Sequence, residues 1–260
     1  MITILPADLV PNVNSEVRKL VTMPRGPILA GALVAVALLA SIASAALAGP
    51  PNPRGEPATG ASTIGLYIGL AMVVLAATVF GAVAAGSEYR YHSMAVTALF
   101  TADRDRLAAA KFLVIGCCAL AAAVAVELVS LGALFGVGRG KVAVTGELFA
   151  VLGGGLLAAV CWSLIGASAG ILLRSSTRAV TSLLGWILLA EPLIWLIARG
   201  LGIPGVVTVL PVSATVGTVA VGSYPDSDFL APTPAAVVVL LLWTIGLGAA
   251  SWWSLRTRDL

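Results

Sequence analysis

Charge is scarce in this chain. Only 10% of its 260 residues are Asp, Glu, Lys or Arg, against about 25% in a soluble globular domain, while 59% are hydrophobic and the mean hydropathy is +1.04. A soluble core needs a polar shell, yet the few charges fall in clusters between long apolar runs instead of along amphipathic elements, which excludes water as the main solvent. Cysteine is limited to Cys117, Cys118 and Cys161, all inside apolar runs. That placement excludes a secreted disulfide framework and a CxxC metal knuckle, and leaves the three as small apolar fillers. The net charge of +3 and the pI near 9.0 would suit nucleic acid, but no basic stripe with interleaved aromatics occurs, so no nucleic-acid partner is expected.

Catalytic signals are equally thin. Gly166-Ala167-Ser168-Ala169-Gly170 matches the GxSxG pattern of a nucleophile elbow, which needs a strand-to-helix turn and a nearby histidine. The stretch lies inside an apolar run, and the single histidine, His92, is in a separate polar segment; small residues for close helix packing is the better reading. Gly136-Val137-Gly138-Arg139-Gly140-Lys141 lacks both the first glycine of a phosphate-binding loop and the Ser or Thr after its lysine. No other nucleotide site is found. The chain is therefore expected to bind no cofactor or metal and to be no enzyme itself.

What the sequence does have is apolar length. Five uncharged or nearly uncharged runs, Ile28 to Ala48, Ile64 to Ala85, Phe112 to Val137, Leu148 to Leu173 and Ala235 to Leu255, each reach the roughly 20 residues that cover a ~30 Å hydrocarbon layer. A sixth, Ala179 to Ala198, is of the same kind but interrupted by Glu191-Pro192. The fold class expected is an all-α membrane protein of six transmembrane helices in a single domain, residues 1–260. On alternate sides of these spans, Arg18, Lys19, Arg25, Arg90, Arg104, Arg106, Lys111, Arg174, Arg178, Arg256 and Arg258 face Arg54, Arg139, Lys141 and Arg199, 11 against 4. Because positive charge is retained inside during insertion, both termini are expected to be cytoplasmic. A cleavable signal ending near Ala46-Leu47-Ala48 is disfavoured, because the run exceeds a signal core and follows a mixed-charge helix.

Three further elements complete the expected layout. Residues 8–23 carry Val10, Val13, Val17, Leu20 and Val21 at helical spacing opposite Asn12, Asn14, Ser15, Glu16, Arg18 and Lys19, the pattern of a helix lying in the membrane interface. Residues 201–222 are apolar but contain Pro204 and Pro211. A seventh crossing there would put Arg256 and Arg258 on the wrong side, so an external re-entrant hairpin is expected. The stretch from Glu88 to Lys111 is too long for a turn and predicts a short helix under the membrane followed by the third span.

Glu88 and Arg90, with Arg104 and Lys111 seven residues apart, fit the start and end of a motif that resembles the type-2 ABC permease family. Ser15-Glu16-Val17-Arg18-Lys19-Leu20 before the first span and Arg256-Thr257-Arg258-Asp259-Leu260 at the C-terminus are similar to the same family, so the resemblance covers essentially the whole chain. It departs from the family at His92 and Ser93, where small residues and Thr are commoner, and at Thr101 or Ala102, where Pro is frequent. The resemblance implies an elbow helix and a coupling helix over residues 88–100. Glu88, Arg90, His92, Arg104 and Lys111 would serve contact with two copies of a separate ATP-binding subunit that holds ATP and magnesium. It also implies a second permease copy, the bacterial cell membrane as location, and export of an amphiphilic or hydrophobic substrate.

Glu127 and Glu191 lie inside apolar runs, where an ionisable group is costly unless it faces protein or water. At 1.5 Å per residue they stand roughly 24 and 20 Å from Lys111 and Arg178. They are candidates either for the translocation path or for structural hydrogen bonding at helix ends. A proton-coupled carrier using either acid, and a non-transporting anchor or immunity protein, are the alternative functions; no internal duplication supports the carrier.

Overall fold

The computed structural model describes residues 9–21, 25–48, 62–90, 104–138, 142, 144–221 and 227–257. The described residues form helices and short connections: α1 (Val10–Val21), α2 (Arg25–Leu47), α3 (Ile64–Arg90), α4 (Arg104–Gly138), α5 (Gly146–Leu173), α6 (Ser176–Gly185), a π-helical turn (Trp186–Ala190), α7 (Glu191–Gly200), a 3-10 turn (Pro204–Val209), α8 (Pro211–Val219) and α9 (Thr233–Thr257). Six helices are long and apolar enough to cross a membrane, with α6, the π turn and α7 counting as one. Leu39, Leu128, Leu242, Ile245 and Trp253 are each more than 60% exposed, a surface that suits lipid far better than water. This is the architecture of a multi-pass membrane protein.

The centre of the bundle is the pair α3 and α5, which meet backbone to backbone. A Cβ on Gly81 would collide with Ser163 O, and one on Gly166 with Thr78 O; one on Gly170 would stand 2.7 Å from Ala82 O. Lipid tails are as apolar as leucine, so such close approach of small residues is what holds spans together. The GxSxG stretch therefore serves packing, and its Ser168 hydroxyl donates to Leu164 O at 2.7 Å within its own helix. Around this pair α4 presents a buried stripe of Leu107, Lys111, Val114, Ile115, Ala119, Ala123, Val126, Glu127, Ser130 and Leu134, the three- and four-residue spacing of one helix face.

Two helix connections show how the chain turns. Arg174 adopts φ 49° and its N–H meets Ile171 O at 3.3 Å, closing α5. Ser175 then caps α6 by accepting from Arg178 N at 3.4 Å, so α5 and α6 are joined by a minimal turn. Glu191-Pro192 does not break the fifth span. Proline cannot donate to the carbonyl four residues back, and the helix absorbs the defect as a π turn in which Glu191 N–H bonds Trp186 O before continuing to Gly200.

The expected boundaries shift in places. The elbow helix of residues 8–23 is seen as Val10–Val21, and the third span begins at Arg104, well before Phe112. Of residues 201–222, the described part, 201–221, holds the 3-10 turn and the nine-residue α8, not a seventh long helix. Of the coupling segment 88–100, Glu88 to Arg90 continue α3, and the rest lies outside the described residues.

The α3/α5 contact leads to a direct expectation. Gly166→Val forces the backbones apart and should lower the thermal midpoint of the detergent-solubilised protein, at a cost of about 1–3 kcal/mol. Gly132→Val, where nothing lies within 4 Å, should leave it unchanged; equal midpoints for the two variants would contradict the packing.

Candidate functional site

Most of the described charges gather at one end of the bundle, that of α1, the end of α3, the start of α4 and the end of α9. The α1 surface turned to the protein is mixed, with Val10, Val13 and Leu20 half-buried on the same side as Glu16. Glu16 is 7% exposed whereas Val17 is 41% exposed, so the helix leaves Val17 outward and sends its acid in. There Glu16 Oε2 accepts from Lys111 Nζ at 2.9 Å and Oε1 accepts from Lys19 Nζ at 2.7 Å. Glu88 Oε1 accepts from both ammonium groups, at 2.7 Å from Lys111 and 2.9 Å from Lys19. Two acids and two lysines thus form a closed ring of charge-assisted bonds across three helices.

The electrostatics of the ring follow from its balance. Burial works against ionised Glu16, but the Lys111 ammonium and the bonds from Lys19 and Lys111 outweigh it and hold the carboxyl below its ordinary value. Burial likewise works against charged Lys19, and its bonds to Glu16 and Glu88 outweigh that too, holding the ammonium above its ordinary value. Lys111 itself is 1% exposed, a position in which an ammonium is tolerable only with such partners.

A second clasp stands beside the first. Arg104 donates to Leu255 O at 2.9 Å, satisfying a terminal carbonyl of α9. Asp105 Oδ1 accepts from Arg256 Nε at 2.8 Å and from Trp252 Nε1 at 2.9 Å, and its other oxygen pairs with Arg256 Nη2. Arg256 also lies 4.1 Å over the Trp252 ring. At the same end Arg174 sits 5.8 Å over the Tyr89 ring.

The predicted site residues therefore separate. Glu88 and Lys111 come together, with Glu16 and Lys19 as partners that sequence reasoning placed only on a polar helix face. Arg104 stands apart, on the end of α9. Arg90 is the last residue of α3, its side chain outside the described residues, as is His92.

The two membrane acids also diverge. Glu191, fully buried, accepts from Val212 N at 3.0 Å and Trp186 Nε1 at 3.0 Å on Oε2, and from Ser213 N at 2.7 Å and Ser213 Oγ at 3.2 Å on Oε1. It closes the N-terminus of α8, whose first N–H groups have no helical partner. The π turn makes the Trp186 bond possible, since residues five apart do not share a face of a regular helix. Glu127, 5% exposed, has its Oε1 without any hydrogen bond among the described residues. Among the described residues no group of acids, histidine or cysteines could hold a metal ion. Comparison of the chain with protein-family models, with curated proteins and with solved structures gives no match.

The ring sets its own pH window. A carboxyl held low contributes stability above its unfolded value of 4.5 and loses it as pH falls through the lower folded value. An ammonium held high contributes below 10.5 and loses it as pH rises through the higher folded value. Spin labels on α1 and α4 should therefore keep one distance from about pH 5 to 9 and broaden only outside it, below 4.5 or above 10.5; broadening near neutrality would contradict the ring.

Proposed function

We propose that this chain is the membrane-spanning permease subunit of an ATP-driven exporter. It works as a pair with a second copy and with two copies of a separate ATP-binding subunit, in a bacterial cell membrane with both termini in the cytoplasm. The observation that carries the reading is the ring of Glu16, Lys19, Glu88 and Lys111. Glu88 and Lys111 bracket the segment expected to meet the ATPase, and they are bound to each other at 2.7 Å and to α1. A segment whose two ends are locked together transmits a push as a rigid body instead of flexing. The ring thus supports an ATPase docking on the coupling segment of residues 88–100 and moving α3 and α4 as one unit.

The α8 helix supports the external re-entrant hairpin. Its first N–H groups bind Glu191, which stands about 22 Å along the fifth span from Ser176 at 1.5 Å per residue, a depth within the hydrocarbon layer. Irregular backbone is tolerated there when protein buries it, and Trp162 Nε1 donating to Thr215 Oγ1 at 2.7 Å ties α8 to α5. The four bonds at Glu191 favour its structural role over a place on the translocation path. A proton-driven carrier is the second reading, favoured by one observation, the bond-free Glu127 Oε1.

Purification of the tagged full-length chain from its native membrane in mild detergent, with azido-ATP labelling, separates the two. The exporter reading expects an equimolar nucleotide-labelled partner and ATP hydrolysis, both lost when residues 91–100, the part of the coupling segment beyond α3, are replaced by a Gly-Ser linker while the bundle still folds. Absence of any nucleotide-binding partner, or its retention after the replacement, would overturn that reading.

A further inference from the structure

A row of buried polar atoms lies along one face of α3, at the end of the bundle opposite the charge ring. A Cβ on Gly65 would stand 2.5 Å from Ser44 Oγ, and one turn on, a Cβ on Gly69 would stand 3.3 Å from Ser130 Oγ. Next to Gly69 is Leu70, which packs with Glu127 against Gly155 of α5: a Cβ there would lie 2.5 Å from Leu70 Cδ2 and 2.8 Å from Glu127 Oε1. Ser44 is fully engaged, donating toward Ser62 O at 3.0 Å and Ser41 O at 3.1 Å and accepting from Gly65 N at 3.1 Å. Ser41, Ser130 and Glu127 are not.

Buried hydroxyls in this bundle normally return a bond to their own helix. Thr78 donates to Val74 O, Ser168 to Leu164 O and Thr244 to Leu240 O. Ser41 and Ser130 are each wholly buried and their Oγ atoms have no partner among the described residues, as Glu127 Oε1 has none. Three unsatisfied polar groups on one seam, one of them a carboxyl, call for something that can hydrogen-bond to them.

No fixed charge supplies that role. The helices packed against Glu127 are α3 and α5. On α3 the titratable groups are Tyr67, one turn before Leu70, and Glu88, Tyr89 and Arg90 at the far end; on α5 they are Glu147 and Cys161, each about two turns from Gly155. On α4 itself Cys117 and Cys118 lie toward the ring, and α2 carries no titratable side chain from Ile28 to Leu47. No lysine or arginine faces the carboxyl from these helices, so an ionised Glu127 would be an uncompensated buried charge.

We propose that Glu127 is a proton-binding site, reached from the end of the bundle where Ser44 meets Ser62, along the hydroxyls of Ser41 and Ser130. When the seam between α2, α3 and α4 opens enough to admit water, a hydronium ion gives its proton to the Glu127 carboxylate and leaves as water; closing the seam traps the neutral acid. Proton occupancy is thereby linked to the arrangement of these helices, whichever energy source drives the chain.

Infrared spectroscopy of the full-length protein in liposomes, buffered near neutrality, tests this. The wild type should show the carbonyl stretch of a protonated carboxylic acid, lost in Glu127→Gln, kept in Glu127→Asp and kept in Glu147→Gln, an exposed acid on the same bundle. Thermal unfolding of each variant verifies that the fold is intact. Ser130→Ala should retain the band but slow its shift in deuterated buffer. Absence of the band in the wild type, or its persistence in Glu127→Gln, would overturn the site; an unchanged exchange rate in Ser130→Ala would overturn the route.

Discussion

The structure turns on one buried ammonium. Lys111 sits among three helices with 1% of its surface exposed, and a charge so placed is tolerable only if opposite charges meet it at hydrogen-bond distance. Glu16 and Glu88 do so from separate helices. Removing one partner of such a group costs about 3–5 kcal/mol, because the rest is left charged and dry. The Asp105 to Arg256 pair, at 40% and 45% side-chain exposure, is screened by water and carries far less weight. The two clasps look alike on paper, and burial decides that the first determines where α1 lies.

From that anchor the remaining geometry follows. The α3 and α5 helices are fixed to each other by backbone contact at Gly81, Gly166 and Gly170, so a force applied at Glu88 reaches the centre of the bundle without a soft joint between. The α8 helix is held from the side by Glu191, whose acceptor atoms replace the helical partners that its first N–H groups lack. Most polar chemistry inside the bundle is thus spent on joining elements, and the seam at Glu127, Ser130 and Ser41 is where three such atoms are left together.

The spans were legible because apolar length is a direct physical requirement of a bilayer, and six runs of that length are plain in the sequence. Their limits were less so. The α4 helix already includes Arg104 and Asp105, whose partners lie on α9, about 150 residues away in sequence, and no local pattern announces that. The reading of α1 found the right helix, but sorting residues by polarity placed Glu16 outward. Its burial depends on Lys111, 95 residues on, a pairing that spacing cannot reveal. Glu191-Pro192 was recognised as a disturbance; whether a helix breaks or bulges there depends on what receives the carboxylate, and α8 receives it.

Whether Lys111 is a charge that its partners must neutralise is tested most directly by comparing two variants in thermal unfolding. Lys111→Met alone should destabilise the protein strongly, leaving two buried carboxylates with only the half-exposed Lys19 to share. Lys111→Met combined with Glu16→Gln and Glu88→Gln should recover most of the loss, because the one ring charge that remains, Lys19, is 31% exposed and reaches water. If the single variant unfolds at the wild-type temperature, or the triple variant fares no better than the single, the ring does not hold these helices together.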